Sequence, residues 1–127
     1  MTQAAGALVD AGPVSDFEDG VPRVVTLAGL EFGVVRWDSG FYAFRNLCPH
    51  QLAAIGRGKA RARLLSTGPL AGVERDGSRP VIVCPRHRWE FDLHSGRALF
   101  DESGPRLRML PVTVAGDRVM VEVEGRR

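Results

Sequence analysis

The chain has 127 residues, of which 44% are hydrophobic and 25% charged, and its 17 Lys and Arg against 15 Asp and Glu leave a net charge of +2. This describes one globular domain able to bury its own core, and it excludes disorder, collagen and coiled coil as the main state. The charge balance gives no argument for nucleic acid as a partner, and the longest apolar runs, such as Val81-Ile82-Val83-Cys84, are strand-sized and far short of the ~20 residues that cross a bilayer.

Residues 1–19 are rich in Ala and Gly and then acidic at Asp16, Glu18 and Asp19, without periodicity. They read as a loose N-terminal arm, or as a short edge strand around residues 7–9, and lack the basic and apolar regions of a secretory leader. Residues 21–27 read as a strand. Residues 30–37 and 41–47 flank Asp38-Ser39-Gly40, a hairpin signal. Residues 53–65 have room for a turn of helix, but Gly56 and Gly58 argue against a long one. Residues 91–93 and 97–100 flank His94-Ser95-Gly96, and residues 112–115 and 118–123 flank Gly116-Asp117, which makes two further hairpins. No segment keeps a helical period beyond two turns. Many short strands punctuated by 15 Gly and 8 Pro predict an all-β sandwich or barrel. Alternation places Trp37, Tyr42 and Phe44 in the core.

The two cysteines, Cys48 and Cys84, are too few for a disulfide scaffold and are free or metal-bound. Each belongs to a Cys–His pair that follows a predicted strand: Cys48-Pro49-His50 and Cys84-Pro85-Arg86-His87. A single zinc can take two Cys and two His, but zinc modules favour about two to four residues between paired ligands, so that the chain curls around one ion. A Cys-x-His pair in an extended loop reaches two adjacent ions more readily. A [2Fe–2S] centre with both thiolates on one iron and both imidazoles on the other asks for that arrangement.

On these residues the sequence resembles the Rieske-type [2Fe–2S] ferredoxin family, whose signature is C-x-H followed by C-x-x-H. Cys84-Pro85-Arg86-His87-Arg88-Trp89-Glu90-Phe91-Asp92, running on to Ser95-Gly96-Arg97, is similar to the second cluster-binding loop and the following hairpin of soluble bacterial members. Gly104-Pro105 is similar to their third, proline-containing loop. The resemblance covers most of the chain. It implies a Rieske-like fold of stacked antiparallel sheets, forming a single domain over residues 20–127 with a small cluster-binding subdomain at about residues 46–106. It also implies one [2Fe–2S] cluster held by Cys48 and Cys84 on one iron and His50 and His87 on the other. Pro49 and Pro85 would then stiffen the loops, and Trp89 and Phe91 would pack beneath the cluster. Leu52 and Arg88 stand where the family usually has Gly; a positive φ at Arg88 would cost ~1 kcal/mol or more. An insertion lies around residues 65–79.

With two thiolates the oxidised site is neutral and one electron takes it to −1, whereas four thiolates would take it from −2 to −3. The imidazole ligands therefore raise the potential to about −150 mV or above. The absence of further cysteines, with Trp89 where high-potential members carry Ser, implies the low-potential end of the family. The resemblance implies a cytoplasmic electron carrier between a reductase and a terminal oxygenase or related oxidoreductase. It implies no membrane attachment, no nucleic acid partner, and no catalytic site or small-molecule substrate of its own. A permanent small subunit of a multi-component oxidoreductase (nitrite reductase or hydroxylase type), a redox sensor and a zinc-binding structural module are the competing readings. Once His50 and His87 are ligands, only His94 of the three histidines remains, short of the 2-His-1-carboxylate set of an oxygenase iron; it falls in a predicted turn and reads as exposed. Arg57, Lys59, Arg61 and Arg63 alternate with Gly58, Ala60 and Ala62. The simplest reading is the solvated face of a strand; the alternative is a basic docking surface for an acidic redox partner.

Overall fold

The computed structural model describes residues 7–38, 40–47, 54–66, 73–85, 89–99, 104 and 106–123. Among them are β1 (Ala7–Pro13), β2 (Arg23–Leu27), β3 (Leu30–Trp37), β4 (Gly40–Arg45), β5 (Lys59–Ser66), β6 (Val73–Val83), β7 (Glu90–Asp92), β8 (Met109–Leu110), β9 (Val112–Ala115) and β10 (Arg118–Val123). They form three sheets, ordered β1-β10-β9, β2-β3-β4-β8 and β5-β6-β7, and every pairing of named strands is antiparallel. The helical content of the described residues is two 3-10 turns, Val14–Asp16 and Ile55–Arg57. The second lies within the stretch where the sequence allowed a single turn. No helix among the described residues is long and apolar enough to cross a membrane.

The strand β3 explains how the layers stack. Successive side chains point to opposite faces, yet Phe32, Gly33, Val34 and Val35 are all buried, so both faces of the strand are covered. Phe32 and Val34 join Phe17, Ala43, Val119 and Val121 in the core half shared with the first sheet. Val35 joins Phe44, Ile55, Ile82, Cys84, Phe91 and Leu93 in the half shared with the third. Gly33 is paired with Phe44 across the β3–β4 ladder, and the Phe44 ring fills the space a β-carbon at Gly33 would need. Phe44 is thus the core residue its alternation predicts. Trp37 and Tyr42 are only half-buried.

Residues 7–19 depart from the expected arm. Residues 7–13 are β1, paired along β10 from Ala7↔Val123 to Pro13↔Arg118, a longer strand than the alternative at residues 7–9. Phe17 is a core residue, 2% exposed, with its ring edge-on to Phe41 at 5.7 Å. The alternation that would have revealed the strand is interrupted by a bulge between Asp10 and Gly12. There Gly12 takes φ +122° and donates its N–H to Asp10 Oδ1 at 2.8 Å, and Asp10 also holds Arg118 at 2.9 Å.

The stretch around residues 65–79 lies in the β5–β6 hairpin. Ala62 pairs with Pro80 but Arg63 with Asp76, so Gly77, Ser78 and Arg79 bulge out of β6. The bulge is tied to the neighbouring sheet and within its own: the Gly77 carbonyl accepts the indole N–H of Trp37 on β3 at 2.8 Å, and Arg79 reaches Asp92 Oδ2 on β7 at 3.1 Å. Asp92 is the buried last residue of β7. Burial pushes its carboxyl up, but the Arg79 side chain and the backbone N–H groups of His94 and Ser95 outweigh that and hold it below the usual carboxylate range.

Gly33→Ala should cost about 1–3 kcal/mol through overpacking against Phe44, read as a lower urea midpoint at unchanged m. Asp92 is more acidic folded than unfolded, so its contribution is complete above the ordinary carboxylate value of ~4 and is lost as pH falls through the lower folded value. Thermal melts of Asp92→Asn between neutral and acid pH should show a flatter acid-side loss than the parent protein; parallel curves would contradict this account.

Candidate metal centre

The strand β6 delivers Cys84. Val81 and Ile82 are fully buried along it, and Cys84, the first residue beyond its end, is 1% exposed. The Cys84 N–H donates to the Trp89 carbonyl at 2.8 Å, and Val83 pairs with Glu90 on β7. The stretch 84–89 is therefore a closed loop whose two ends are held together. The Cys84 side chain packs with Ile55, Phe91, Leu93 and Leu107. The half-buried Trp89 lies against the same cluster, its ring tilted 33° to that of Phe91 at 6.2 Å.

A second loop is closed by one side chain. Asn46, 4% exposed, follows β4. Its Oδ1 accepts the Gly56 N–H at 2.6 Å, its Nδ2 donates to Glu31 Oε1 at 3.1 Å, and its backbone N–H donates to the Glu31 carbonyl at 3.1 Å. The chain that leaves at Leu47 thus returns at Ile55–Arg57 under a fixed constraint. Gly58 follows, and a β-carbon there would run into the Val83 carbonyl. That approach lays the return of the first loop on the residue preceding Cys84. The third stretch is bracketed in the same region: Leu99 N–H donates to the Glu90 carbonyl at 2.9 Å, Leu107 N–H to the Gly96 carbonyl at 2.8 Å, and Arg97 bridges Arg106.

Of the four ligand candidates, Cys84 is described, and it lies buried at a strand end. Cys48, His50 and His87 fall outside the described residues, as do Pro49, Leu52, Arg86, Arg88 and Pro105. Among the described residues no group of three or more His, Cys, Asp or Glu could hold a metal ion. His94 is exposed, with its Nε2 2.8 Å from the Tyr42 hydroxyl and its ring stacked on the phenol at 5.3 Å. Sequence reasoning did not single out Asn46. Its place two residues before Cys48 is the only signal, because the partners Glu31 and Gly56 are distant in the chain.

Beside Cys84 an open groove of about 510 Å³ is lined by Arg57, Gly58, Lys59, Arg61, Val83, Pro85 and Glu90. Arg61 and Glu90 form an ion pair across it at 2.6 Å.

The sequence profile of the Rieske [2Fe-2S] domain family matches residues 7–113. The ferredoxin component of a naphthalene 1,2-dioxygenase system from Pseudomonas aeruginosa is 32% identical over 115 residues, which span 91% of this chain and 94% of that protein. A chain described as the small subunit of an NADH-dependent nitrite reductase from Mycobacterium tuberculosis shares the fold, with TM-score 0.77 at 22% identity over 95% of this chain and 98% of that one. A chain from the complex of reduced oxygenase and oxidised ferredoxin in carbazole 1,9a-dioxygenase superposes with TM-score 0.70 at 25% identity, over 94% and 96%.

Asn46→Ala leaves a buried Gly56 N–H without its acceptor and should cost about 1–3 kcal/mol. Asn46→Asp keeps that acceptor but sets a second carboxylate against Glu31, so denaturant titrations should show a loss at pH 7 that shrinks as the pair is protonated.

Proposed function

Because this chain belongs to the Rieske [2Fe-2S] domain family, we propose that it is a cytoplasmic carrier of single electrons from a reductase to a terminal oxygenase or related oxidoreductase. The cluster is held by Cys48 and Cys84 on one iron and by His50 and His87 on the other. The observation that carries this reading is the position of Cys84, buried at the end of β6, where the return of the Cys48–His50 loop packs on the residue before it. A buried thiol between two loops, each bearing a Cys–His pair in sequence, fits a group that takes two sulfur and two imidazole donors. When bound, the cluster supplies a one-electron couple whose potential is raised by its neutral imidazole ligands.

The chain's own residues do the holding. The Cys84 N–H to Trp89 carbonyl bond and the fixed φ of Pro85 restrict the second loop, and Asn46 restricts the first. Phe91, fully buried, and half-buried Trp89 form an apolar floor on the inner side of Cys84 that keeps water from it. The histidine count leaves substrate chemistry to the partner: with His50 and His87 assigned, only His94 remains, and its Nε2 is engaged by Tyr42.

The permanent small-subunit reading draws on the fold shared with the nitrite reductase chain. The free carrier is favoured by the likeness to the ferredoxin component of a naphthalene 1,2-dioxygenase system, 32% identical over 91% of this chain.

Protein expressed with ample iron should contain two irons and two acid-labile sulfides per chain, and should give an EPR signal on dithionite reduction. One zinc and no sulfide would instead establish the structural module. Cys84→Ser should lose the cluster. His87→Cys should retain it and lower its potential by on the order of 100 mV; an unchanged potential would overturn the ligand assignment.

A further inference from the structure

The groove beside Cys84 has an uneven charge. Arg57 and Lys59 are exposed and make no ion pair among the described residues, whereas Arg61 is half-buried, bound to Glu90 and donating to the Ala62 carbonyl at 3.2 Å. Among the described residues Glu90 is the only carboxylate lining the groove, and Arg61 already holds it. Two uncompensated positive charges therefore stand at the rim of a groove whose wall includes Cys84 itself. Lys59 is held there by its pairing with Val83, and Arg57 by the turn that ends against the Val83 carbonyl. Of the two sequence readings of this basic run, the solvated face accounts for the exposure. It does not account for the groove or for its contact with the cysteine loop.

The geometry points to this groove as the docking surface for an acidic face of the redox partner. The inference rests on the electron-carrier reading and names the chemistry of its partner. The groove is open, and the two cations without an ion pair among the described residues stand on the 3-10 turn and on the start of β5, which suits carboxylates projecting from a facing protein surface. A carboxylate seated between Arg57 and Lys59 sets the partner against the wall formed by Cys84 and Pro85, so the path to the cluster begins at a ligand's own residue. Opposed charges of this kind raise association rates by roughly 10- to 1,000-fold, and salt screens them.

The test mixes cluster-loaded, dithionite-reduced protein in a stopped-flow instrument with ferricytochrome b5, an acidic haem acceptor, or ferricytochrome c, a basic one. The cytochrome b5 rate should be the faster at low salt and should fall steeply between about 20 and about 300 mM NaCl, and the cytochrome c rate should not fall. Arg57→Glu combined with Lys59→Glu, with the cluster EPR signal retained, should lower the cytochrome b5 rate about tenfold and weaken its calorimetric Kd to match. Arg23→Glu, one charge reversal on β2, should change either quantity by less than about twofold. A cytochrome b5 rate indifferent to salt, or equal losses in both variants, would overturn the docking site and leave the carrier reading standing. A loss produced by inorganic phosphate at constant ionic strength would make the groove a small-anion site and overturn it as well. Reduced protein that passes electrons to neither haem would overturn the carrier reading and the docking site together.

Discussion

The contact between Gly58 and the carbonyl of Val83 organises the functional end of this protein. A side chain of any size at residue 58 would separate β5 from the end of β6. With it would go the register Lys59↔Val83 that brings the returning first loop beside the loop of Cys84. The contact is a constraint of shape, and it works because both segments are anchored elsewhere. Asn46 ties one to β3 through Glu31, and the Cys84–Trp89 hydrogen bond ties the other to β7.

Beneath that corner the sheets form a rigid base. A strand buried on both faces, β3, lets one sequence segment serve two core halves, and a half containing Phe44, Ile82 and Phe91 extends up to Cys84. Asp92 is paired with Arg79 and Asn46 with Gly56, which is what keeps these two groups tolerable in an apolar surrounding.

The β5–β6 hairpin breaks its register at one point. Gly77–Arg79 leave as a bulge tied down by Trp37 and Asp92, after which β6 resumes its register from Pro80 to Val83. The basic groove lies on the other side of that resumed register. Its charges stand beside the cysteine loop because β5 must pair with β6 there.

Sequence alone determined the fold class, the β3–β4 and β9–β10 hairpins, the family, and the cysteine that ends β6. Each depends on information local to a few residues: strand alternation, turn chemistry around Gly40 and Gly116, and a Cys–His spacing. Tertiary structure alone decided that residues 7–19 belong to the fold, because β1 takes its partner from the far end of the chain and its alternation is broken by the Asp10–Gly12 bulge. It also decided that Asn46 closes a loop and that, among the described residues, Arg61 has an ion-pair partner while Arg57 and Lys59 have none. Those properties rest on partners distant in sequence, and a linear pattern carries no record of which distant residue will be brought within a hydrogen bond.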